Sequence, residues 1–356
     1  MLHNTFGLTM SGGGVRGIAY IGVFRACEER RISWGNMAGV SAGSLAIAVK
    51  AAGYNNVEMQ NIMKSLDFKG IQLTDASRLP VVQDFLAFAG KRTNPGENTV
   101  IEFFNQPSKG TRINPPGSYR GNILNNIVTY CQEGALYDGD YLEEWLYDYL
   151  ARKGIRTFAD VRGGVCDKLN PRGYKIRMTG VDCNRAKTVV LPDGLEYYGI
   201  NPDKFEVAKA VRISTCVPFA FKPVVIKRNG VKHYLVDGGV FDTFPYWLVD
   251  NSEMPAVGFR LTGRKKFFSI DTPWNVIKSI IAALHDIGVP KQKESMVDFI
   301  QDIDTQDVSA LDFNIGDEVK GFLVKSGYNS ANDLFGKIKP YFPSDYAKNF
   351  LKKISG

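Results

Sequence analysis

The stretch NMAGVSAGSLAIAVKAAG, residues 36–53, decides how the chain is read. Its first five residues, NMAGV, form a short apolar run of the kind that makes a buried strand. From Ala42 the spacing turns helical, and Gly53 stands where a helix ends on a left-handed C′ residue. Between strand and helix lies Ser41, with Gly39 and Gly43 two positions to either side in a G-x-S-x-G turn. Glycines there let the chain reverse without Cβ clashes. The turn lifts the serine hydroxyl above the sheet, facing the positive end of the helix. The same serine also reads as a plain N-cap. About 0.2 chance matches to the pattern are expected in a chain this rich in glycine, so the turn alone does not choose.

Toward the N-terminus, TFGLTM (5–10) is a second buried-strand candidate, followed by SGGGVRGIAY (11–20) and a helix over 15–31. Strand–helix–strand–helix at this spacing predicts parallel strands joined by right-handed crossovers. Gly12, Gly13 and Gly14 offer backbone N–H groups for a developing oxyanion, and Arg16 is placed to stiffen or polarise their loop. Gly12, Gly14 and Gly17 also fit G-x-G-x-x-G, the dinucleotide fingerprint. That fingerprint wants an acidic residue about 20 positions on, to hold a ribose. Here the second strand ends in AGVSAG, and Glu28 and Glu29 fall at the end of the preceding helix. An oxyanion loop is the better reading.

Composition sets outer bounds. The 356 residues are 44% hydrophobic and 23% charged, enough for a sizeable core in one large or two ordinary domains. No apolar run reaches the roughly 18 residues of a transmembrane helix. The opening MLHNTFGLTM has neither the basic nor the apolar region of a secretory signal peptide. A cytoplasmic protein with transient membrane association is therefore expected, with export by a route independent of a signal peptide left open. Five cysteines, at 27, 131, 166, 183 and 216, form no C-x-x-C pair, which disfavours a disulfide framework or a zinc site and points to reduced, mostly buried thiols. A net charge of +7 favours an anionic partner. The basic runs GRKKF (263–267) and LKKIS (351–355) are short, however, and charge runs usually form solvated surface.

Elsewhere, helical spacing recurs over 55–66, 80–90, 120–132 and 140–154, with loop-rich stretches over 91–99 and 107–121. Strands are expected in YKIRMTGVD (174–182), KTVVLP (187–192) and AVGFRL (256–261). A hairpin over 222–239 is expected to turn at Asn229-Gly230. After 266 the pattern is mostly helical.

A nucleophilic serine needs a base. Of the three histidines, His3 lies in the N-terminal tail, His285 in the helical stretch IIAALHDIG and His233 in the hairpin, and none has a supporting motif. Asp237 ends the strand in HYLVDGG, where active-site side chains of parallel sheets gather, and Gly238 and Gly239 let the backbone turn away at once. It also reads as an ordinary Asp-Gly turn residue. In an apolar pocket its pKa rises, and a carboxylate so raised can take a serine proton.

Taken in order, SGGGVRG, GVSAG and DGG resemble the oxyanion loop, nucleophile elbow and catalytic-aspartate motif of the patatin-like phospholipase family. AVRISTCVPFAFKPV (210–224), with Ser214 and Pro218 in matching places, resembles the family segment before the aspartate strand, while TFADV (157–161) and Pro245 are fainter echoes. The strong motifs cover 6–53 and 208–247. The resemblance implies an α/β fold, a three-layer α/β/α arrangement around a central, largely parallel sheet. It implies a catalytic domain over 1–265 with a helical insertion at about 55–155, and a mainly helical region over 266–356 packed on it. It further implies calcium-independent hydrolysis of lipid acyl esters, of phospholipase A or lysophospholipase type, with no metal or cofactor. By position, Ser41 attacks the ester, Asp237 is the base, and the backbone of Gly12, Gly13 and Gly14 with Arg16 forms the oxyanion hole. Gly17, Gly39, Gly43, Gly238 and Gly239 shape these loops. Ser11 departs from the aspartate that the family often carries before its glycines.

A phospholipid substrate implies peripheral contact with an anionic membrane surface, which the basic balance favours, and no nucleic-acid partner. PWNVIKSIIAALHDIGVPKQK (273–293) sets Trp274, Ile277, Ile281 and Leu284 along one stripe near Lys278, Lys291 and Lys293. Such a stripe lies in a membrane interface or packs on the core, and FLAFAG (85–90) has the same two readings. Two other functions fit the chain. One is a phospholipase effector with a toxin or defence role, switched on by a small-molecule or protein activator. The other is a non-catalytic lipid- or nucleotide-binding protein, which the intact Ser41 and Asp237 disfavour.

Overall fold

The computed structural model describes residues 5–66, 78–91, 99–104, 127–132, 135–137, 139–250, 254–263, 276, 279, 299–310, 312 and 314–338. The strands are β1 (Thr5–Met10), β2 (Ser33–Gly39), β3 (Ile176–Asp182), β4 (Lys187–Leu191), β5 (Val224–Arg228), β6 (Val231–Asp237), β7 (Ala256–Thr262) and β8 (Ile300–Asp304). They form one sheet in the order β5-β6-β3-β2-β1-β7-β8, with β4 also on β3. From β3 through β8 the neighbours pair in parallel. At the other end β4, β5 and β6 add antiparallel pairs. The helices are α1 (Ala19–Glu29), α2 (Ala42–Ala51), α3 (Asn56–Ser65), α4 (Pro80–Ala89), α5 (Thr99–Phe104), α6 (Gly139–Arg152), α7 (Val207–Ser214) and α8 (Asp317–Ile338).

Local chemistry sets these boundaries. A 3-10 turn, Gly14–Ile18, precedes α1. Gly53 takes the left-handed conformation expected after α2, at φ 86°. Asn55 and Glu58 exchange side-chain and backbone hydrogen bonds at 2.9 Å in a capping box that opens α3. The β5–β6 hairpin turns at Asn229 (φ 48°) and Gly230 (φ 80°), both positive as a type I′ turn requires. β8 lies in the stretch read as mostly helical. Its sequence, IQDID, is short and polar, and only Ile303 is fully buried, so it carries no apolar alternation to read.

The core joins the first and last described elements. Leu323, Leu334, Phe335 and Ile338 of α8 join Phe6 and Phe24 in one cluster, with the Phe335 ring edge-on to Phe6 at 5.7 Å. α8 crosses α1 closely because Gly22 and Gly327 lack side chains: a Cβ on Gly22 would run into Val324 O, and one on Gly327 into Ala19 O. A second cluster packs Leu79, Val82 and Phe85 at α4 and Phe103 of α5 onto Val181, Phe219 and Val236. α4 thus turns Val81, Val82 and Phe85 inward; within FLAFAG, Phe85 and Ala89 pack on the core while Leu86 stays exposed. The stripe over 273–293 lies almost wholly outside the described residues, as do the loops over 107–121 and the basic runs near 265 and 353. Cys27, Cys131, Cys183 and Cys216 are buried free thiols, and Cys166 is an exposed one. Among the described residues no helix is long and apolar enough to cross a membrane.

Candidate active site

Strand register brings the motifs together. Met10, at the end of β1, pairs with Gly39, at the end of β2, so the loops carrying Gly12 and Ser41 leave the same end of the sheet. β2 runs along β3 until Gly39 meets Met178. β6 runs the opposite way along β3 until Asp237 meets Gly180, two positions farther on. Ser41 and Asp237 therefore converge on adjoining rows of β3 from opposite directions.

Ser41 adopts φ 54° and ψ −124°, a backbone conformation that costs a non-glycine residue roughly 1–3 kcal/mol. Its N–H donates to both Ser214 O and Ser214 Oγ at 3.1 Å, and Ser44 Oγ donates to Ser41 O at 2.6 Å. A Cβ on Gly39 would lie 2.6 Å from the Gly43 carbonyl carbon, and one on Gly43 would strike the Met10 carbonyl. Both glycines are there because the turn presses against itself and against β1.

Asp237 is 2% exposed and ends β6. Its N–H donates to Cys216 O at 2.9 Å, and its Oδ1 accepts from the Gly239 N–H at 2.7 Å. Oδ2 is buried with no hydrogen-bond partner. Burial pushes the pKa up to about 7, against the opposing pull of the Gly239 N–H and the Ser41 side chain. Gly238 must be glycine, since a Cβ there would strike Thr179 Oγ1.

The glycine loop lies directly over Ser41: a Cβ on Gly12 would stand 3.3 Å from Ser41 Cβ, and one on Gly17 2.8 Å from Ala42 Cβ. Gly12 departs from its expected role as an open donor, because its N–H donates to Thr243 O at 3.0 Å. The N–H groups of Gly13, Gly14 and Ala42 have no acceptor among the described residues. Ala42 was not anticipated, although the first N–H of any helix lacks an intrahelical partner. Gly14, at φ 56°, packs on the Ala310 carbonyl, which accepts from Val15 N at 2.9 Å. Arg16 Nε donates to Gly13 O at 3.2 Å, and its guanidinium has no carboxylate partner among the described residues. Burial lowers the Arg16 pKa.

Ser11 ties the loop to the sheet. Its Oγ accepts from Leu261 N at 2.9 Å and lies 3.1 Å from Tyr20 Oη, which donates to Ser11 O at 2.7 Å. His233 belongs to a separate cluster: its Nδ1 lies 3.0 Å from Asp182 Oδ2, which also accepts from Tyr198 Oη at 2.7 Å. No described histidine hydrogen-bonds Ser41 or Asp237; His3 and His285 lie outside the described residues. Glu28, weighed for a ribose, instead pairs with Lys50 and accepts from Asn56 Nδ2 at 3.0 Å.

A family model described as patatin-like phospholipase matches residues 8–250. The uncharacterized protein YqhO of Bacillus subtilis (strain 168) is 28% identical over 325 residues, 89% of this chain and 93% of that protein. Among solved structures, VipD from Legionella pneumophila is similar with a TM-score of 0.51 and 15% identity, over 94% of this chain and 67% of that one. At that identity the likeness is one of fold.

Proposed function

Since the chain belongs to the patatin-like phospholipase family, we propose that it is a serine lipid acyl hydrolase that cleaves phospholipid acyl esters through an acyl-Ser41 intermediate. The observation that carries this reading is the Asp237 carboxyl, buried beside Ser41 with one oxygen unpaired and a pKa of about 7. An ordinary carboxylate is too weak a base for a serine hydroxyl, and one raised to near neutrality is matched to the task.

The steps follow from these groups. Ser41 Oγ attacks the ester carbonyl carbon while its proton passes to Asp237 Oδ2. The carbonyl oxygen gains negative charge and is met by the N–H groups of Gly13, Gly14 and Ala42, which have no acceptor among the described residues. Losing one such donor typically costs about 2.7–4 kcal/mol of barrier. The tetrahedral adduct collapses, and the lysolipid alkoxide leaves with the proton from Asp237. Water then attacks acyl-Ser41 with Asp237 as base again, releasing the fatty acid and restoring the serine. The strained Ser41 backbone supports the reading, because a turn so costly persists where it holds a reacting group in place.

A fluorophosphonate probe tests the activated serine directly. Peptide mapping is expected to find the label on Ser41, with Asp237→Asn slowing its incorporation at least about 100-fold, the lower range for a general base. A label on another residue, or none, would overturn the dyad.

A further inference from the structure

We propose that the β5–β6 hairpin is the membrane-docking edge of the protein, seating its active-site end on an anionic bilayer. The inference rests on the lipid-hydrolase reading and assigns the surface that reading requires.

Position is the first argument. Leu235 pairs with Asp182, the last residue of β3, so Val231–Tyr234 continue past the end of that strand. They extend from the end of the sheet where β1 and β2 deliver Gly12 and Ser41. Val231 lies six positions before Asp237, which places the hairpin tip about 20 Å beyond the carboxylate at a strand rise of about 3.3 Å.

The side chains are the second argument. Lys227 and Lys232 are both exposed and stand directly opposite each other across the hairpin. Like charges in that position destabilise a strand pair. Among the described residues neither lysine has a carboxylate partner. Asp182 is engaged by His233 and Tyr198, and Glu196 by Arg172. Val225, 44% exposed, shares the face of these lysines, and Val231, 56% exposed, pairs with Arg228 on the opposite face near the tip, so the hairpin leaves a large apolar side chain in water on each face. Behind the tip, Arg185 and Arg228 stack over the Tyr197 ring, 3.6 and 4.0 Å from its centroid. This adds two guanidinium charges held on a rigid ring. Unpaired cations flanking exposed aliphatics match an anionic headgroup layer over hydrocarbon. A nucleic acid would use the cations but gives no reason for the two valines.

The test uses the full chain carrying Ser41→Ala, so that vesicles are not consumed. Its flotation with phosphatidylglycerol–phosphatidylcholine vesicles at low salt is compared with Lys227→Gln/Lys232→Gln and Val225→Ser/Val231→Ser added. The lysine pair is expected to lower partitioning about 30-fold, the equivalent of roughly 1 kcal/mol per cation, with pure phosphatidylcholine binding weakly throughout. Removing the facing charges is expected to leave the thermal midpoint equal or higher, which separates lost docking from lost folding. With Ser41 restored, release of fatty acid from vesicles should fall in parallel while turnover of a monomeric short-chain ester stays constant. Unchanged flotation, or loss confined to binding of an oligonucleotide, would overturn the proposal. Hairpin-dependent flotation with no fatty-acid release by the Ser41 enzyme would sink the hydrolase reading alone. Release from vesicles that ignores the hairpin would sink the docking surface alone.

Discussion

Asp237 holds its proton more tightly in the folded chain than in the unfolded one, with a pKa of about 7 against 3.8. The folded state therefore binds more protons across that window, and stability falls as pH rises from about 4 through about 7. The loss amounts to roughly 4 kcal/mol at its limit. Asp237→Asn removes the ionisation, so urea unfolding at about pH 8 should show the variant more stable than the wild type, with the gap closing toward about pH 4. Under the proposed mechanism activity runs the other way, because Asp237 works as a base only when deprotonated: kcat/KM should rise through about pH 7 and level off above it. A rate already flat at about pH 5 would contradict the assignment. Ser41 gives a second prediction. With its φ at 54°, Ser41→Gly should exceed Ser41→Ala in stability by about 1 kcal/mol in denaturant melts, both being inactive. Ser41 and Asp237 were legible in the sequence because close packing demands glycines around them. Ser214, Tyr20 and Thr243 escaped notice as determinants of geometry. The hydrogen bonds of Ser214 and Thr243 reach across the fold, 173 residues in the case of Ser214 and Ser41, and leave no spacing to read, whereas Tyr20 bonds Ser11 only nine positions away with no motif to mark it.

Helices and strands were legible where one local signal fixed them. Asn229-Gly230 sets the hairpin, helical spacing over 55–66 marks α3, and Gly53 follows α2. β8 was not, since an edge strand of mostly polar residues takes its place from the neighbour β7 rather than from its own pattern. The α1–α8 crossing was equally hidden, because Gly22 and Gly327 matter only to each other's helices. Gly327→Ala forces a methyl group against the Ala19 carbonyl, a rigid backbone atom. It should destabilise the protein by about 1–3 kcal/mol, the usual cost of overpacking, read as a lower thermal midpoint. Gly336→Ala on the same helix, with open space around it, should not.

At the scale of the molecule, the site depends on chain that carries no motif. The family match ends at residue 250, yet β7, β8 and α8 follow it. Leu261 N–H holds Ser11, Ala310 O holds Val15, and α8 closes the core over α1. A fragment of residues 1–250 should therefore lack a cooperative thermal transition, because it exposes Phe6, Leu8 and Phe24 together. The motifs suggested the proposed chemistry, whereas the support for the glycine loop was unreadable: contacts between Gly14 and Ala310 depend on the finished fold. The central claim is that Ser41 and Asp237 together hydrolyse lipid esters. The most direct measurement is fatty-acid release from mixed phospholipid vesicles in EDTA by the wild type, Ser41→Ala and Asp237→Asn, with His233→Ala alongside. The account predicts release by the wild type and by His233→Ala, and none above background from the other two. Full release by Asp237→Asn, with His233→Ala silent, would contradict it.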